Sequence, residues 1–212
     1  MPLPDFLIDR YRDWKNNSFV KKSKIYKDAE SNGQKPKAMI VTCCDSRVHP
    51  IKIFNAEIGD FFIHKNIANL IPRYYSNSDH SETLAAIEYG VKNLKISEII
   101  ILGHSKCGGI EHAHNYFSDK YNTPKNLFID SWIQNIKPAY LKLDSKLKKE
   151  NQIQSLEKLS IINSISNLKK IPIIKELALE NKIRIHGLWF EIATGKLMYL
   201  DDKSIEFETI NY

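Results

Sequence analysis

Cysteine is scarce in this sequence, which contains only three such residues among 212: Cys43, Cys44 and Cys107. An odd and small number of cysteines argues against a framework of disulfide bonds as the basis of the fold. A chain of this length buries a sizeable hydrophobic core without such links. The three thiols are therefore left with metal binding, nucleophilic chemistry or inert burial.

Long apolar runs are also lacking. No segment approaches the roughly 20 apolar residues that a membrane-spanning helix requires. The N-terminal sequence, MPLPDFLIDRYRDW, does not have the basic region followed by an apolar region that marks a secretory signal. We therefore expect a protein without a membrane partner and with a cytoplasmic location.

Positive charge is only moderately in excess, and the formal net charge is +6. A basic chain can bind nucleic acid. Here, however, the lysines between Lys137 and Lys182 alternate with acidic residues, which predicts a solvated helical surface. Those acidic residues are Asp144, Glu150, Glu157, Glu176 and Glu180. No aromatic-rich RNA-binding motif accompanies the lysines, so we expect no nucleic-acid partner.

Short apolar runs alternate with helical patterns along the chain. The pattern predicts strands at residues 37–43, 61–64, 96–102, 183–188 and 196–200. It predicts helices at residues 4–14, 81–94, 126–149 and 154–170, and a further short helix from Pro172 to residue 179. Strands separated by helices indicate an α/β fold around a mainly parallel sheet.

Two of the predicted strands end at residues that can carry chemistry. Cys43 ends the strand at 37–43, and His104 follows the strand at 96–102. Sites in open parallel sheets lie beyond the carboxyl ends of strands. His104 also begins a His-x-x-Cys pair with Cys107, and the glycines that follow allow the backbone to approach a ligand closely.

Two thiolates and one imidazole suit zinc, and three protein ligands leave an open coordination position, as in catalytic zinc sites. The residues alone leave alternatives open. A cysteine nucleophile with His104 as its base is one of them, and inert burial of the thiols is another. By spacing alone, Cys44 fits the ligand position as well as Cys43 does.

The paired segments Cys43-Cys-Asp-Ser-Arg47 and His104-Ser-Lys-Cys107-Gly-Gly resemble the motifs of the β-class carbonic anhydrases. The similarity continues through residues 59–69, 85–91 and 164–168 and covers most of residues 30–200. It implies that Cys43 takes the ligand position and Cys44 the variable one. It also implies one zinc ion per chain, bound by Cys43, His104 and Cys107.

The resemblance further implies zinc-dependent reversible hydration of carbon dioxide to bicarbonate and a proton. Asp45 and Arg47 are then the expected catalytic residues. Asp45 would orient the nucleophile at the metal, and Arg47 would keep Asp45 ionised and fixed. In this family the same pair can instead close the site, with the Asp on the metal, and the sequence favours neither state. His49 is the expected proton shuttle.

Two further groups of residues follow from the resemblance. The plant-type branch lines its carbon dioxide pocket with a Gln, a Phe, an aliphatic residue and a Tyr, which align with Gln34, Phe62, Ile67 and Tyr89. Another branch binds inhibitory bicarbonate through a Trp, an Arg and a Tyr, which align with Ile40, Lys65 and Phe190. We expect this second site to be lost.

The implied architecture is a central, mainly parallel sheet flanked by helices, assembled as a homodimer or a dimer of dimers. The N-terminal helix would pack on a partner subunit. We accordingly expect one domain over residues 1–212, with a helical arm at 1–30 and a catalytic core at 31–200. Two rival functions stay open: a zinc hydrolase of another small linear substrate such as carbon disulfide, and a non-catalytic zinc-binding homologue.

Overall fold

The computed structural model describes residues 2–75, 81–118 and 126–210. Within them, a six-stranded sheet has the strand order β2-β1-β3-β4-β5-β6. The strands are β1 (Ala38–Cys43), β2 (Phe61–Asn66), β3 (Glu98–His104), β4 (Arg184–Phe190), β5 (Leu197–Leu200) and β6 (Phe207–Thr209). Strands β1 to β4 are parallel to one another, whereas β5 pairs antiparallel with both β4 and β6. The predicted α/β fold with a mainly parallel sheet is confirmed.

Helices flank the sheet and form an N-terminal arm. The arm consists of α1 (Asp5–Asp13), a π-helical segment (Trp14–Phe19) and α2 (Val20–Asn32). The remaining helices are α3 (Pro50–Ile53), α4 (Glu82–Lys92), α5 (Gly108–Phe117), α6 (Ile129–Trp132), α7 (Lys137–Tyr140), α8 (Lys149–Leu168) and α9 (Pro172–Leu179). Segments of 3-10 helix cover Ile67–Asn69 and Ile133–Ile136.

The central strand β1 is buried over its whole length, which explains its continuous apolar sequence. Met39 and Val41 contribute to the hydrophobic core that includes residues of α4 and α8, whereas Ile40 belongs to a core with Val48 and Leu102. Helix α8 packs closely on β3 and β4. At Gly103 of β3, a Cβ atom would lie 2.6 Å from Cδ1 of Ile161, so any larger residue here would force the Ile161 side chain to move.

The helix predicted over residues 126–149 is wrong. The structure has short helical turns between residues 129 and 140, and α8 begins at Lys149, before the predicted residue 154. Pro138 provides the physical reason. Proline has no N–H group to donate to the preceding turn, so it fits in the first turn of a helix, and the new helix α7 begins there. Asp144 then accepts the backbone N–H of Lys146 at 2.9 Å, a turn that competes with helix.

The N-terminal arm leaves most of its apolar side chains exposed. None of the residues in α1, the π-helical segment or α2 is buried. Phe6 and Tyr11 are both 59% exposed, and Lys22 links the arm to the body of the domain through an ion pair with Glu57. The helical arm extends to Asn32, and β6 lies beyond residue 200, so the arm and the sheet are both slightly longer than expected. None of the helices in the described ranges has the length and apolar character needed to cross a membrane.

Candidate metal centre

Three predicted ligands meet at the carboxyl edge of the sheet. Cys43 is the last residue of β1 and His104 the last of β3, and these adjacent parallel strands end side by side. Cys107 follows three residues later, immediately before α5. All three side chains are buried, and their ligand atoms lie within 4.8 Å of one another. The topology therefore brings together residues that are far apart in sequence.

The geometry of this cluster fits a tetrahedral zinc ion. Two sulfur atoms 2.3 Å from a common tetrahedral centre are about 3.8 Å apart, and the Sγ atoms of Cys43 and Cys107 are 3.9 Å apart. The Nδ1 atom of His104 donates to the carbonyl of Ser105 at 2.9 Å, which leaves Nε2 as an acceptor. That buried Nε2 atom has no hydrogen-bond partner in the described part of the chain, so a metal would satisfy it.

The two thiols titrate as a unit. The hydrogen bond from Cys107 lowers the pKa of Cys43 to about 4, against the opposing effect of burial. The shared proton and burial raise the pKa of Cys107. The backbone N–H of Ala68, 3.4 Å from the Cys43 sulfur, adds a donor to the thiolate. Cys43 and Cys107 would both bind a divalent cation as thiolates, with the remaining proton displaced.

Cys44 lies outside the cluster. Successive side chains of a strand point to opposite faces, and Cys44, which follows β1, is exposed while Cys43 is buried. Its backbone N–H donates to the carbonyl of Asn66 at 3.0 Å. The ambiguity between the two adjacent cysteines is therefore resolved by tertiary structure in favour of Cys43.

Asp45 and Arg47 form a bidentate ion pair beside the cluster. Nε of Arg47 donates to Oδ1 of Asp45 at 2.9 Å, and Nη2 donates to Oδ2 at 2.7 Å. These bonds hold the pKa of Asp45 well below its usual range. Oδ2 of Asp45 is 3.9 Å from Nε2 of His104, so an ionised carboxylate faces the metal-binding nitrogen.

The four predicted pocket residues fall into two groups. Ile67 directly follows β2 at the metal edge, whereas Phe62 pairs with Met39 near the start of β1. Since Asn66 pairs with Cys43, Phe62 lies about 13 Å from the level of the metal ligands along the strand. Phe62 packs against Tyr89 with ring centroids 6.0 Å apart, and Tyr89 and Gln34 are exposed. One chain alone therefore brings only Ile67 to the cluster.

A cavity of about 370 Å³ lies beside Ile67. Its lining is largely apolar and consists of Cys44, Lys65, Asn66, Ile67, Glu82, Phe128, Ile129 and Trp132. Nε1 of Trp132 donates to the carbonyl of Ile67 at 2.9 Å and holds this wall in place. Such a lining is typical of a pocket for a small apolar molecule.

The residues that support Cys43 were not predicted from the sequence. Ala68 and Asn69 adopt left-handed backbone angles, with φ of 64° and 50°. The side chain of Asn66 holds this turn by accepting from Leu70 N and donating to Leu70 O, both at 2.8 Å. The turn presents the N–H of Ala68 to Cys43. Asparagine, which tolerates left-handed angles, was the available signal at residue 69.

Two further expectations concern single residues. Glu157, predicted on a solvated helical surface, is only 3% exposed, so that prediction is wrong. It accepts hydrogen bonds from buried groups of neighbouring elements and therefore faces the core. His49 is exposed, and its Nε2 atom is 3.0 Å from the carbonyl oxygen of Ser46. Its role as a proton shuttle stays a prediction.

The fold and the site define a class: a parallel α/β protein with a Cys₂His centre of three protein ligands, the number found in catalytic zinc sites. A model of the carbonic anhydrase family matches residues 38–197. Beta carbonic anhydrase 3 of Arabidopsis thaliana is 36% identical over 185 residues, which are 86% of this chain and 70% of that protein. The chain therefore belongs to the carbonic anhydrase family, in its β class.

Solved structures agree with this assignment. The β-carbonic anhydrase CcaA has a TM-score of 0.85 and 26% identity, with 97% of this chain and 91% of that chain covered. A β-carbonic anhydrase from Sordaria macrospora, described as tetrameric, has a TM-score of 0.78 and 27% identity, with 92% and 95% covered. The resemblance drawn from the sequence is confirmed, and zinc is the metal of this family.

Proposed function

We propose that this protein catalyses the reversible hydration of carbon dioxide to bicarbonate and a proton, with zinc held by Cys43, His104 and Cys107. The observation that carries the proposal is the ionised Asp45 carboxylate, 3.9 Å from the free ring nitrogen of a buried Cys₂His cluster. A zinc ion bound there supplies a Lewis acid and a water molecule of lowered pKa.

Asp45 orients the reacting water. An ionised carboxylate only accepts hydrogen bonds, so it fixes the direction of a water O–H bond and turns the oxygen lone pair toward the substrate. Arg47 holds both carboxylate oxygens and thereby prevents rotation of Asp45. The pair thus supplies orientation, and a zinc ion held by the three ligands would supply the charge that activates the water.

Carbon dioxide is small and apolar, which suits the cavity beside Ile67. The decisive measurement is stopped-flow hydration of carbon dioxide by protein of known zinc content, with hydrolysis of carbon disulfide measured on the same sample. We expect rapid hydration. Hydrolysis of carbon disulfide without hydration of carbon dioxide would contradict the proposal.

A homodimer completes the substrate pocket in this proposal. Gln34, Phe62 and Tyr89 lie away from the metal cluster of their own chain and are at least partly exposed. The arm also exposes Phe6 and Tyr11, which a second copy would cover. The tetrameric relative from Sordaria macrospora supports association of copies. Assembly of two such dimers into a dimer of dimers is part of the same proposal.

Subunit mixing tests this arrangement. One variant, Cys43→Ser, lacks the metal, and the other, Gln34→Ala with Tyr89→Ala, lacks two exposed pocket side chains. In the heterodimer, the zinc of the second variant would face the intact pocket residues of the first. We therefore expect the co-expressed heterodimer, purified through two different tags, to hydrate carbon dioxide faster than either homodimer.

The matched control for this experiment is a mixture of the two purified homodimers without subunit exchange, which should show no gain. If Gln34 and Tyr89 act within their own chain, the heterodimer will be no faster than the pocket variant. That result would show that a second copy does not contribute Gln34 and Tyr89 to the site.

We expect no cooperative inhibition by bicarbonate and no steep loss of activity as the pH falls toward neutrality. Ile40 is fully buried in an apolar core that Phe190 also contacts, and Nζ of Lys65 donates to the carbonyl of Val48 at 3.0 Å. A bicarbonate ion there would lack two donors, each loss costing on the order of 1–3 kcal/mol. We expect rates from about pH 6.5 to about pH 9 to follow a single titration. A sigmoidal profile that added bicarbonate moves to higher pH would contradict this expectation.

The cytoplasmic location and the absence of nucleic-acid and membrane partners stay predictions from the sequence. The family membership bears on the chemistry of the site and not on where the protein acts. Fractionation of the source cells, followed by detection of the intact chain, would test the location directly.

A further inference from the structure

Glu157 of α8 is a buried carboxylate that the proposed mechanism does not yet use. Its Oε1 atom accepts the backbone N–H of Cys107 at 3.2 Å, and its Oε2 atom accepts Nε1–H of Trp189 at 3.1 Å. Trp189 is itself 2% exposed. Both carboxylate oxygens therefore have fixed donors, and the side chain is anchored to the core of the domain.

The bond to Cys107 belongs to a peptide unit that is held from both ends. The N–H of this unit is that of Cys107, and its carbonyl is that of Lys106. The carbonyl accepts Nη2 of Arg47 at 3.1 Å. The peptide unit thus donates to a carboxyl oxygen at its N–H end and accepts from a guanidinium at its carbonyl end, which is the favourable orientation of the peptide dipole for both partners.

The backbone at this point needs support from neighbouring groups to keep that orientation. Lys106 has a φ of 55°, in the left-handed region that side-chain-bearing residues rarely adopt. Such angles persist where surrounding contacts determine them. Glu157 and Arg47 provide such contacts, because each is hydrogen-bonded to one end of this peptide unit.

We propose that Glu157 is a positioning residue for the Asp45–Arg47 pair, acting through the peptide unit between Lys106 and Cys107. Glu157 orients the peptide, the peptide carbonyl holds the guanidinium of Arg47, and Arg47 holds the carboxylate of Asp45. A continuous chain of hydrogen bonds then links Trp189 in the core to the carboxylate that faces His104. The catalytic role of these hydrogen bonds rests on the proposed function.

A double-mutant cycle separates this role from general support of the fold. Gln at position 157 can accept from one of the two donors but turns its own amide N–H₂ toward the other. We expect Glu157→Gln to lower kcat/KM for carbon dioxide hydration by about 10- to 100-fold with zinc content unchanged. In an Arg47→Ala background the same change should lower kcat/KM by less than about twofold, because the guanidinium that Glu157 positions is absent.

A second readout does not depend on activity. Phenylglyoxal modifies accessible guanidinium groups, and the modified peptides are quantified by mass spectrometry. Arg47 should react several-fold faster in Glu157→Gln than in the wild type, whereas Arg184, an exposed residue paired with Glu98, should react at an unchanged rate. If the wild type fails to hydrate carbon dioxide but this difference persists, the proposed function fails and the structural chain stands.

Two further variants complete the experiment. Glu150→Gln changes an exposed carboxylate of the same helix and should alter neither readout. Trp189→Phe removes the donor to Oε2 while keeping an aromatic side chain, and it should reproduce the faster modification of Arg47 if Glu157→Gln does not fold. Loss of zinc in Glu157→Gln, equal costs in both backgrounds or an unchanged Arg47 reaction rate would each overturn the proposal.

Discussion

Replacement of Cys43 by serine is expected to abolish both zinc binding and carbon dioxide hydration. A serine hydroxyl does not ionise near neutral pH and is a hard ligand, whereas zinc in this cluster needs a thiolate. The loss also leaves Cys107 and His104 as only two ligands in a buried site. Zinc content should fall from about one per chain to nearly zero, and hydration should fall with it.

The matched control is Cys44→Ser, which changes the neighbouring thiol in the same way. Cys44 is exposed and takes no part in the ligand cluster, so its replacement should leave zinc and activity in place. Metal analysis by atomic emission and stopped-flow hydration, on the two variants purified in parallel, provide the measurement. If Cys44→Ser loses the metal and Cys43→Ser retains it, the assigned ligand is wrong.

Replacement of Asp45 by asparagine is expected to leave zinc bound but to slow hydration by on the order of 100-fold or more. Asparagine keeps the shape of the side chain. It replaces one acceptor oxygen by an N–H₂ group, so it no longer fixes the water in one orientation. Because Asp45 is not among the clustered ligands, metal content should be unaffected. A near-normal rate would remove Asp45 from the mechanism.

Replacement of Arg47 by alanine should also slow hydration with zinc retained, and the reason is geometric. Arg47 depresses the pKa of Asp45, so its removal raises that pKa toward the ordinary aspartate value of about 3.9. Asp45 would still be ionised at neutral pH. The stabilisation that comes from its depressed pKa is present at neutral pH and disappears only as the pH falls through the lowered pKa, so the variant loses it at neutral pH and not at strongly acidic pH. A slower rate at pH 7 therefore measures lost orientation of the carboxylate.

Arg47→Lys is the informative companion variant. Lysine keeps the positive charge but lacks the planar fork that binds both oxygens of Asp45. We expect Arg47→Lys to be slowed nearly as much as Arg47→Ala, while Arg184→Ala, at an exposed ion pair, keeps the wild-type rate. A full rescue by lysine would show that charge alone is sufficient at this position.

Several features of the site were predictable because they depend on short stretches of sequence. The spacing of His104 and Cys107 is local, and the apolar run that ends at Cys43 predicts a buried strand. Parallel strands that end together then bring the two segments to one edge. Ligand types, metal and fold class follow from such patterns and from the resemblance.

Other features were not predictable from local pattern. Glu157 lies among lysines in the sequence, and only the packing of α8 against β3 and β4 turns its carboxylate toward Cys107 and Trp189. The predicted helix over residues 126–149 failed for a different reason: Pro138, which begins a new helical turn, is visible in the sequence, but the apolar and charged pattern was followed across it.

The sequence by itself determined which chemical groups are available: two thiolates, an imidazole and an Asp-Ser-Arg segment after a buried strand. Tertiary structure decided how they are used. Pairing of β1 with β2 sets Cys43 level with Asn66 and leaves Phe62 at the far end of the strand. Register and side-chain direction are properties of the whole sheet, since each pairing depends on residues distant in sequence, and no local pattern specifies them.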